Sequence, residues 1–310
     1  MIKVKNLTKK YGELKAVDNV SFEVKTGEVL GFLGPNGAGK TTTMRVITCY
    51  MPSTSGTVEI DGQNIIDHSL DIRKKIGYLP ENAPLYPDMN VVDYLYFILG
   101  LREVSKTLYQ KRLKEIIEIC GLGSVTHKDI GELSKGFRQR VGLAQAMIHQ
   151  PEILILDEPT LGLDPNQIVE IRNLIKDLGK EKTVILSTHI LPEVEATCDR
   201  VLIINEGKIV ADGTPEQLQS GFEGKERIYL EIKSQEDVSN KLKNLPEVEQ
   251  VEVISSDDDQ IKKLNIECKK GVDLREKIFN FSVENKWIIL EMKREVKRLE
   301  DIFRLLTQSN

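Results

Sequence analysis

Between the apolar run Val29 to Leu33 and a helical stretch lies Gly34-Pro35-Asn36-Gly37-Ala38-Gly39-Lys40-Thr41, a spacing that few folds can accommodate. Glycines at these positions let the backbone curl until its amides and a helix N-terminus face one point, which makes an anion cradle. Lys40 can neutralise β- and γ-phosphate charge, and Thr41 can ligate magnesium. A glycine-rich turn with no ligand is the bland alternative, and the complete pattern after a buried strand weighs against it. The expected ligand is ATP with Mg2+, held by Gly34, Pro35, Asn36, Gly37, Ala38, Gly39, Lys40, Thr41 and the adjoining Thr42.

The rest of the pattern extends this into a fold. Val29 to Leu33, Ile153 to Leu156 and Val184 to Leu186 are continuous apolar runs, as parallel strands buried on both faces require. Ile2 and Val4, then Val20, Phe22 and Val24, then Val58 and Ile60 alternate with polar residues, which predicts an antiparallel layer. Leu113, Ile116, Ile117 and Cys120 have helical spacing, so residues 88–150 read as a helical insert. The predicted class is α/β, a P-loop NTPase cassette with a parallel core sheet, an antiparallel β layer and the insert. After Asp212-Gly213-Thr214-Pro215 and the bracket Gly221 to Gly224 the chain becomes more charged. This predicts a first domain over 1–220 and a second over 225–310. In the second, Ile228/Leu230/Ile232, Val251/Val253, Leu264/Ile266/Cys268 and Ile288/Leu290/Met292 alternate. The helical sets Val238/Leu242/Leu245 and Leu274/Ile278/Phe281 fall between them. That order is β-α-β-β-α-β, a small α+β ferredoxin-like domain. Val296, Leu299, Ile302, Phe303 and Leu306 then trace one helix face.

Two further segments carry chemistry. Leu154-Ile155-Leu156-Asp157-Glu158 ends an apolar strand in adjacent carboxylates, and period-two alternation would aim them differently. Asp157 is expected in the magnesium shell and Glu158 facing the attacking water. His189 closes the run Leu186-Ser187-Thr188 at the C-terminal end of a core strand, where ligands bind in open α/β sheets. Glu158, His189 and Lys40 are therefore the expected catalytic set.

Over about residues 1 to 220 these segments together resemble the nucleotide-binding domain of ABC transporters. Leu133-Ser134-Lys135-Gly136-Phe137 resembles the signature segment, with Lys135 and Phe137 where the family usually has Gly and Gln. The resemblance implies that Ser134 and Gly136 touch the γ-phosphate. Leu161-Gly162-Leu163-Asp164 resembles the D-loop, and Tyr11 the aromatic that stacks on adenine. Gly77-Tyr78-Leu79-Pro80-Glu81 resembles the Q-loop segment, with Glu81 where Gln is usual and still able to coordinate magnesium. These variants, with Arg298 to Phe303, are similar to the export branch that includes drug-resistance, gliding-motility and copper-processing cassettes.

The resemblance implies an ATPase that powers membrane transport as a dimer sandwiching two ATPs. Its partners would be a separate multi-span membrane permease and a second copy of itself or a homologous cassette. The rival is a soluble ABC ATPase acting on a ribosome or nucleic acid. One P-loop, no long heptad insertion and a net charge of -5 argue against it, so no direct nucleic acid contact is expected. The greasiest run, Val91 to Leu101, is short and interrupted by Asp93, and the start has no apolar leader. A cytoplasmic position, peripheral on the cytoplasmic face of the membrane, is the expectation. Four scattered cysteines suggest neither disulfides nor zinc. In the tail, Cys268 stands with no histidine, so packing or dimerisation is favoured there over metal delivery.

Overall fold

The computed structural model describes residues 1–221, 226–258, 261–269, 273–295 and 299–307. Val296 and most of the Gly221 to Gly224 bracket lie outside them. Two compact units are present, one formed by Met1–Pro215 with Leu306 and Thr307, the other by Glu216–Leu305.

In the first unit the chain begins with β1 (Ile2–Tyr11) and β2 (Leu14–Val24), then β3 (Val29–Leu33), α1 (Lys40–Ile47), β4 (Ser55–Ile60) and β5 (Gln63–Asn64). Next come α2 (Ser69–Lys75), β6 (Ile76–Leu79), α3 (Val91–Leu101), α4 (Tyr109–Ile119) and α5 (Lys135–Met147). The unit continues with β7 (Ile153–Asp157), α6 (Pro165–Gly179), β8 (Thr183–Thr188), α7 (Leu191–Thr197), β9 (Arg200–Asn205) and β10 (Lys208–Gly213).

A four-stranded antiparallel sheet runs in the order β2-β1-β4-β5, and a six-stranded sheet in the order β10-β9-β3-β8-β7-β6. In the larger sheet β9, β3, β8, β7 and β6 run parallel to one another, and β10 joins the edge antiparallel to β9. Every residue of β3, β7 and β8 is buried, the reason each is built on a continuous apolar run rather than an alternating one. Phe22 and Phe32, with ring centres 5.5 Å apart, bring the two sheets together over one core. The β3 strand lies between β8 and β9, so the loop that follows it opens beside the ends of both neighbours.

The helical insert is built from α3, α4 and α5. Asn90 caps α3 by accepting from the Asp93 amide at 2.9 Å, and Ser134 caps α5 by accepting from the Phe137 amide at 3.3 Å. The α5 helix lies so close to β6 that a Cβ on Gly77 would come 2.1 Å from the Ala146 carbonyl oxygen.

Pro215 opens α8 (Pro215–Gly221). The second unit then contains β11 (Glu226–Lys233), α9 (Val238–Lys243), β12 (Val248–Asp258), β13 (Ile261–Cys268), α10 (Arg275–Glu284), β14 (Ile288–Glu295) and α11 (Leu299–Thr307) as far as Leu305. Its sheet is antiparallel in the order β12-β13-β11-β14. Ile228, Leu230, Ile232, Leu264, Ile266 and Cys268 project into a core shared with Leu242, Ile278 and Trp287. Through β14 the element order is β-α-β-β-α-β.

None of the four cysteines is in a disulfide among the described residues. Cys120, Cys198 and Cys268 are buried, and Cys49 is half-buried. Among the described residues no helix is long and apolar enough to cross a membrane.

Candidate nucleotide site

The loop after β3 is shaped by close backbone approaches. Gly37 has φ +80° and Gly39 φ +106°, conformations that other residues rarely adopt. A Cβ on Gly39 would lie 2.4 Å from the Ala16 carbonyl oxygen, so the loop packs directly on β2. Gly39 is the N-cap of α1 and offers no side-chain acceptor, which leaves the first-turn amides for a ligand. Lys40 is 6% exposed, and its Nζ donates to the Gly34 and Pro35 carbonyls at 2.8 and 3.2 Å. Its third partner is the Glu158 carboxylate at 3.2 Å.

Asp157 and Glu158 face different ways, but alternation is not the cause. The strand stops at Asp157, and Glu158 adopts a left-handed backbone with φ +50°. That turn aims its side chain at Lys40 and His189, and departs from the period-two expectation. The Glu158 amide donates to the Ser187 carbonyl at 3.1 Å, which fastens the kink to β8. Of its carboxylate oxygens, Oε1 meets Lys40 and Oε2 is 2.9 Å from His189 Nδ1. A left-handed glutamate is uncommon, and such backbone cost tends to collect at working sites.

Asp157 is fully buried beside this pair. Its Oδ1 accepts from Ser187 Oγ, while Oδ2 is buried without a hydrogen-bond partner among the described residues. Burial pushes the carboxyl up from its ordinary range, and the neighbouring hydroxyls of Ser187 and Thr41 oppose that rise. An orphan oxygen on a buried carboxylate close to the Thr41 hydroxyl suits a divalent cation, because magnesium takes one or two carboxylates plus phosphate oxygens.

These groups open into a cavity of about 340 Å³ lined by Ala16, Asn36, Gly37, Gly39, Lys40, Thr41, Thr42, Glu81, Glu158, Leu161 and His189. The P-loop, both ends of the expected catalytic set and Glu81 thus converge. A larger cavity of about 520 Å³ sits by Ile153 and Thr183, where β7 and β8 begin, and has no P-loop residue in its wall. Ligands of open α/β sheets bind at the opposite, C-terminal strand ends, so the smaller cavity is the candidate.

Of the other expected residues, Gly34, Pro35 and Ala38 belong to the same loop and Asp157 to the end of β7 without lining the cavity, and Tyr11, Ser134 and Gly136 lie elsewhere. Tyr11 closes β1 outside the cavity wall, with its hydroxyl donating to Met51 Sδ at 3.2 Å and the Lys9 ammonium 5.5 Å from its ring centre. Ser134 and Gly136 stand at the start of α5, also outside that wall. Gly136 packs against α6 so tightly that a Cβ there would meet the Gln167 amide carbon at 2.5 Å.

Ser187, Glu193 and Ala16 were not expected at the site, whereas Leu161 of the wall belongs to the segment that resembles the D-loop. Ser187 holds Asp157 and the Glu158 backbone, and its place two residues before His189 was a usable signal. Glu193 is 3% exposed and accepts from Thr188 Oγ1 at 2.7 Å, tying down the strand end that carries His189. Ala16 contributes through its backbone, which no side-chain pattern reveals.

With the geometry in place, known proteins give a consistent comparison. The ABC transporter family pattern matches residues 17–161. The bacitracin transport ATP-binding protein BcrA of Bacillus licheniformis is 41% identical over 234 residues, 75% of this chain and 74% of that protein. The linearmycin resistance ATP-binding protein LnrL of Bacillus subtilis is 36% identical over 233 residues, 75% of each. A dimeric bacterial ABC transporter cassette, 30% identical, superposes with a TM-score of 0.64 over 69% of this chain and 98% of that one. The same cassette is known as a dimer in a post-hydrolysis state bound to ADP and Pi.

Proposed function

The chain belongs to the ATP-binding proteins of ABC transporters, and on that premise we propose that it powers export through a separate membrane-spanning permease. It binds and hydrolyses ATP, and works as a dimer with nucleotide sandwiched between two cassettes. The carrying observation is the convergence of Lys40, Glu158 and His189 on one cavity, from which Ser134 and Gly136 of the same chain are missing. A second cassette supplies that missing pair.

In this reading the P-loop amides and Lys40 hold the β- and γ-phosphates. Glu158, held by His189, takes a proton from the attacking water as the bond from the γ-phosphorus to the ADP oxygen breaks. Lys40 counters the charge that develops on the phosphate oxygens. Thr41, Asp157 and Glu81 are the residues that would hold Mg2+, which when bound neutralises phosphate charge. Relatives named for bacitracin transport and linearmycin resistance support the drug-resistance export branch.

We place the permease contact on a cavity of about 280 Å³ lined by Thr48, Cys49, Tyr50, Arg73, Ile76, Tyr78 and Arg102. Burial, and then the like charge of Arg73, hold the Arg102 guanidinium below its usual range. Both arginines donate to backbone carbonyls, Arg73 to Ser69 and Arg102 to Arg73, and neither has an ion pair among the described residues. Two such cations call for a carboxylate from a partner. The test is to co-express the chain with the membrane protein encoded beside its gene. Lys40→Ala should abolish ATP hydrolysis, whereas Arg73→Glu/Arg102→Glu should leave hydrolysis in solution and lose co-purification with the membrane protein. Hydrolysis by a clean Lys40→Ala preparation would overturn the site.

A further inference from the structure

Resting on the proposed roles of Glu158 and His189, we infer that Glu193 is a positioning residue for ATP hydrolysis, acting through Thr188 to fix where His189 stands against Glu158.

His189 lies between two pinned neighbours. Thr188 closes β8 opposite Leu33, the last residue of β3, and its carbonyl accepts from the Gly34 amide of the P-loop at 3.4 Å. Its hydroxyl donates to Glu193 Oε2 at 2.7 Å and accepts from the Ile190 amide at 3.1 Å. A hydroxyl has one proton, so giving it to Glu193 leaves the lone pairs for the Ile190 N–H. The carboxylate thereby sets the direction of both bonds, and with them the turn through His189. Glu193 has a firm seat of its own in α7. That helix packs on β3 so closely that a Cβ on Gly31 would come 2.9 Å from both Val194 Cγ1 and Cys198 Sγ. His189 is thus tied to the strand that delivers the P-loop by two routes, one through the Thr188 backbone and one through α7.

An acid in the first turn of a helix is favoured by the helix dipole, and Glu193 occupies such a place. The dipole does not explain its burial. Glu193 is 3% exposed, and its Oε1 is buried with no hydrogen-bond partner among the described residues. An acid that serves the dipole can stay in water, whereas burying a carboxylate with one oxygen unpaired is costly. Thr188, fully buried beside it, is the group that this costly carboxylate holds.

The test is a set of full-length variants, Glu193→Leu, Glu193→Gln and Thr188→Val, each made in the parent and in a His189→Ala background. Phosphate release under saturating ATP gives turnover, dialysis with labelled ATP gives affinity, and thermal melting followed by circular dichroism gives the folded fraction at the assay temperature. Glu193→Leu and Thr188→Val should each lower turnover about tenfold, the scale of one hydrogen bond to a charged group. ATP affinity should stay at the parent value, because Lys40, Thr41 and the loop amides are untouched. Glu193→Gln keeps an acceptor oxygen within reach and should recover most of the loss. In the His189→Ala background the same changes should have no further effect, since the group they misplace is already gone. Turnover of folded Thr188→Val within about twofold of the parent overturns the inference. An equal loss in both backgrounds also overturns it, as a change in helix stability alone would give. Glu193→Gln as slow as Glu193→Leu overturns the role of the acceptor oxygen. Should Glu193→Leu not fold, Thr188→Val, which keeps the side-chain shape, decides. If His189→Ala alone turns over at the parent rate, the proposed role of His189 fails and this inference with it.

Discussion

Replacing Glu158 by glutamine isolates the proton transfer from everything else the site does. Both side chains reach equally far and bear the same left-handed backbone cost at φ +50°, so the kink after β7 is retained. The amide oxygen can face Lys40, 3.2 Å away, and the amide nitrogen can donate to His189 Nδ1, which lies 2.9 Å from the present carboxylate. With geometry kept, the loss is that of the base. A positioned general base is worth roughly 10² to 10⁴ in rate, or about 3 to 5 kcal/mol of barrier. ATP affinity should not fall, because Lys40 loses an anionic competitor for the phosphates and keeps both of its carbonyl contacts. Phosphate release under saturating ATP measures the rate, and dialysis with labelled ATP measures the affinity. A rate within about threefold of the parent, from a preparation free of contaminating ATPase, would remove Glu158 from the role of base.

His149 supplies a pH test. Burial, and then Arg102, hold its imidazole down at about 4 instead of the ordinary 6.5. The unfolded chain thus binds the proton more tightly, so stability is present above pH 6.5 and lost as pH falls toward 4, by about 3 kcal/mol at most. Nδ1 is buried without a hydrogen-bond partner among the described residues, so a proton added there would find no acceptor. Urea midpoints between pH 7 and 4.5 should show this slope, and His149→Gln should flatten it. Asp157→Asn should raise the melting temperature of the chain without nucleotide at pH 7 by a few degrees, since the raised carboxyl makes ionisation cost stability as pH rises. An unchanged or lower midpoint in calorimetry would contradict that. Gly77→Ala should cost about 1 to 3 kcal/mol in denaturant unfolding, because its Cβ would sit 2.1 Å from the Ala146 carbonyl oxygen.

Much of the cassette was legible because its constraints are local. The apolar runs of β3, β7 and β8 and the glycine spacing of the loop after β3 each report on their own neighbourhood. Legibility failed where a single backbone angle or a distant backbone group decides the outcome. Nothing in Leu156-Asp157-Glu158 distinguishes a continuing strand from a left-handed turn, yet that turn sets where the Glu158 carboxylate points. Ala16 enters the cavity only because β2 folds back against Gly39, a contact between residues far apart in sequence. Ser134 and Gly136 were readable as a motif through resemblance, but one chain does not bring them to the P-loop.

The four thiols bear on how the molecule can be studied. Thiols react as thiolates. Burial pushes Cys120 up to about 12 and raises Cys49 and Cys198 as well, while Cys268 is shut inside the core of the second unit. Maleimide probes at neutral pH should therefore pass over the native cysteines in the folded chain. A cysteine introduced on the exposed surface would then carry the label, and distances between labelled copies could be followed through the ATP cycle in a chain whose native thiols are all retained.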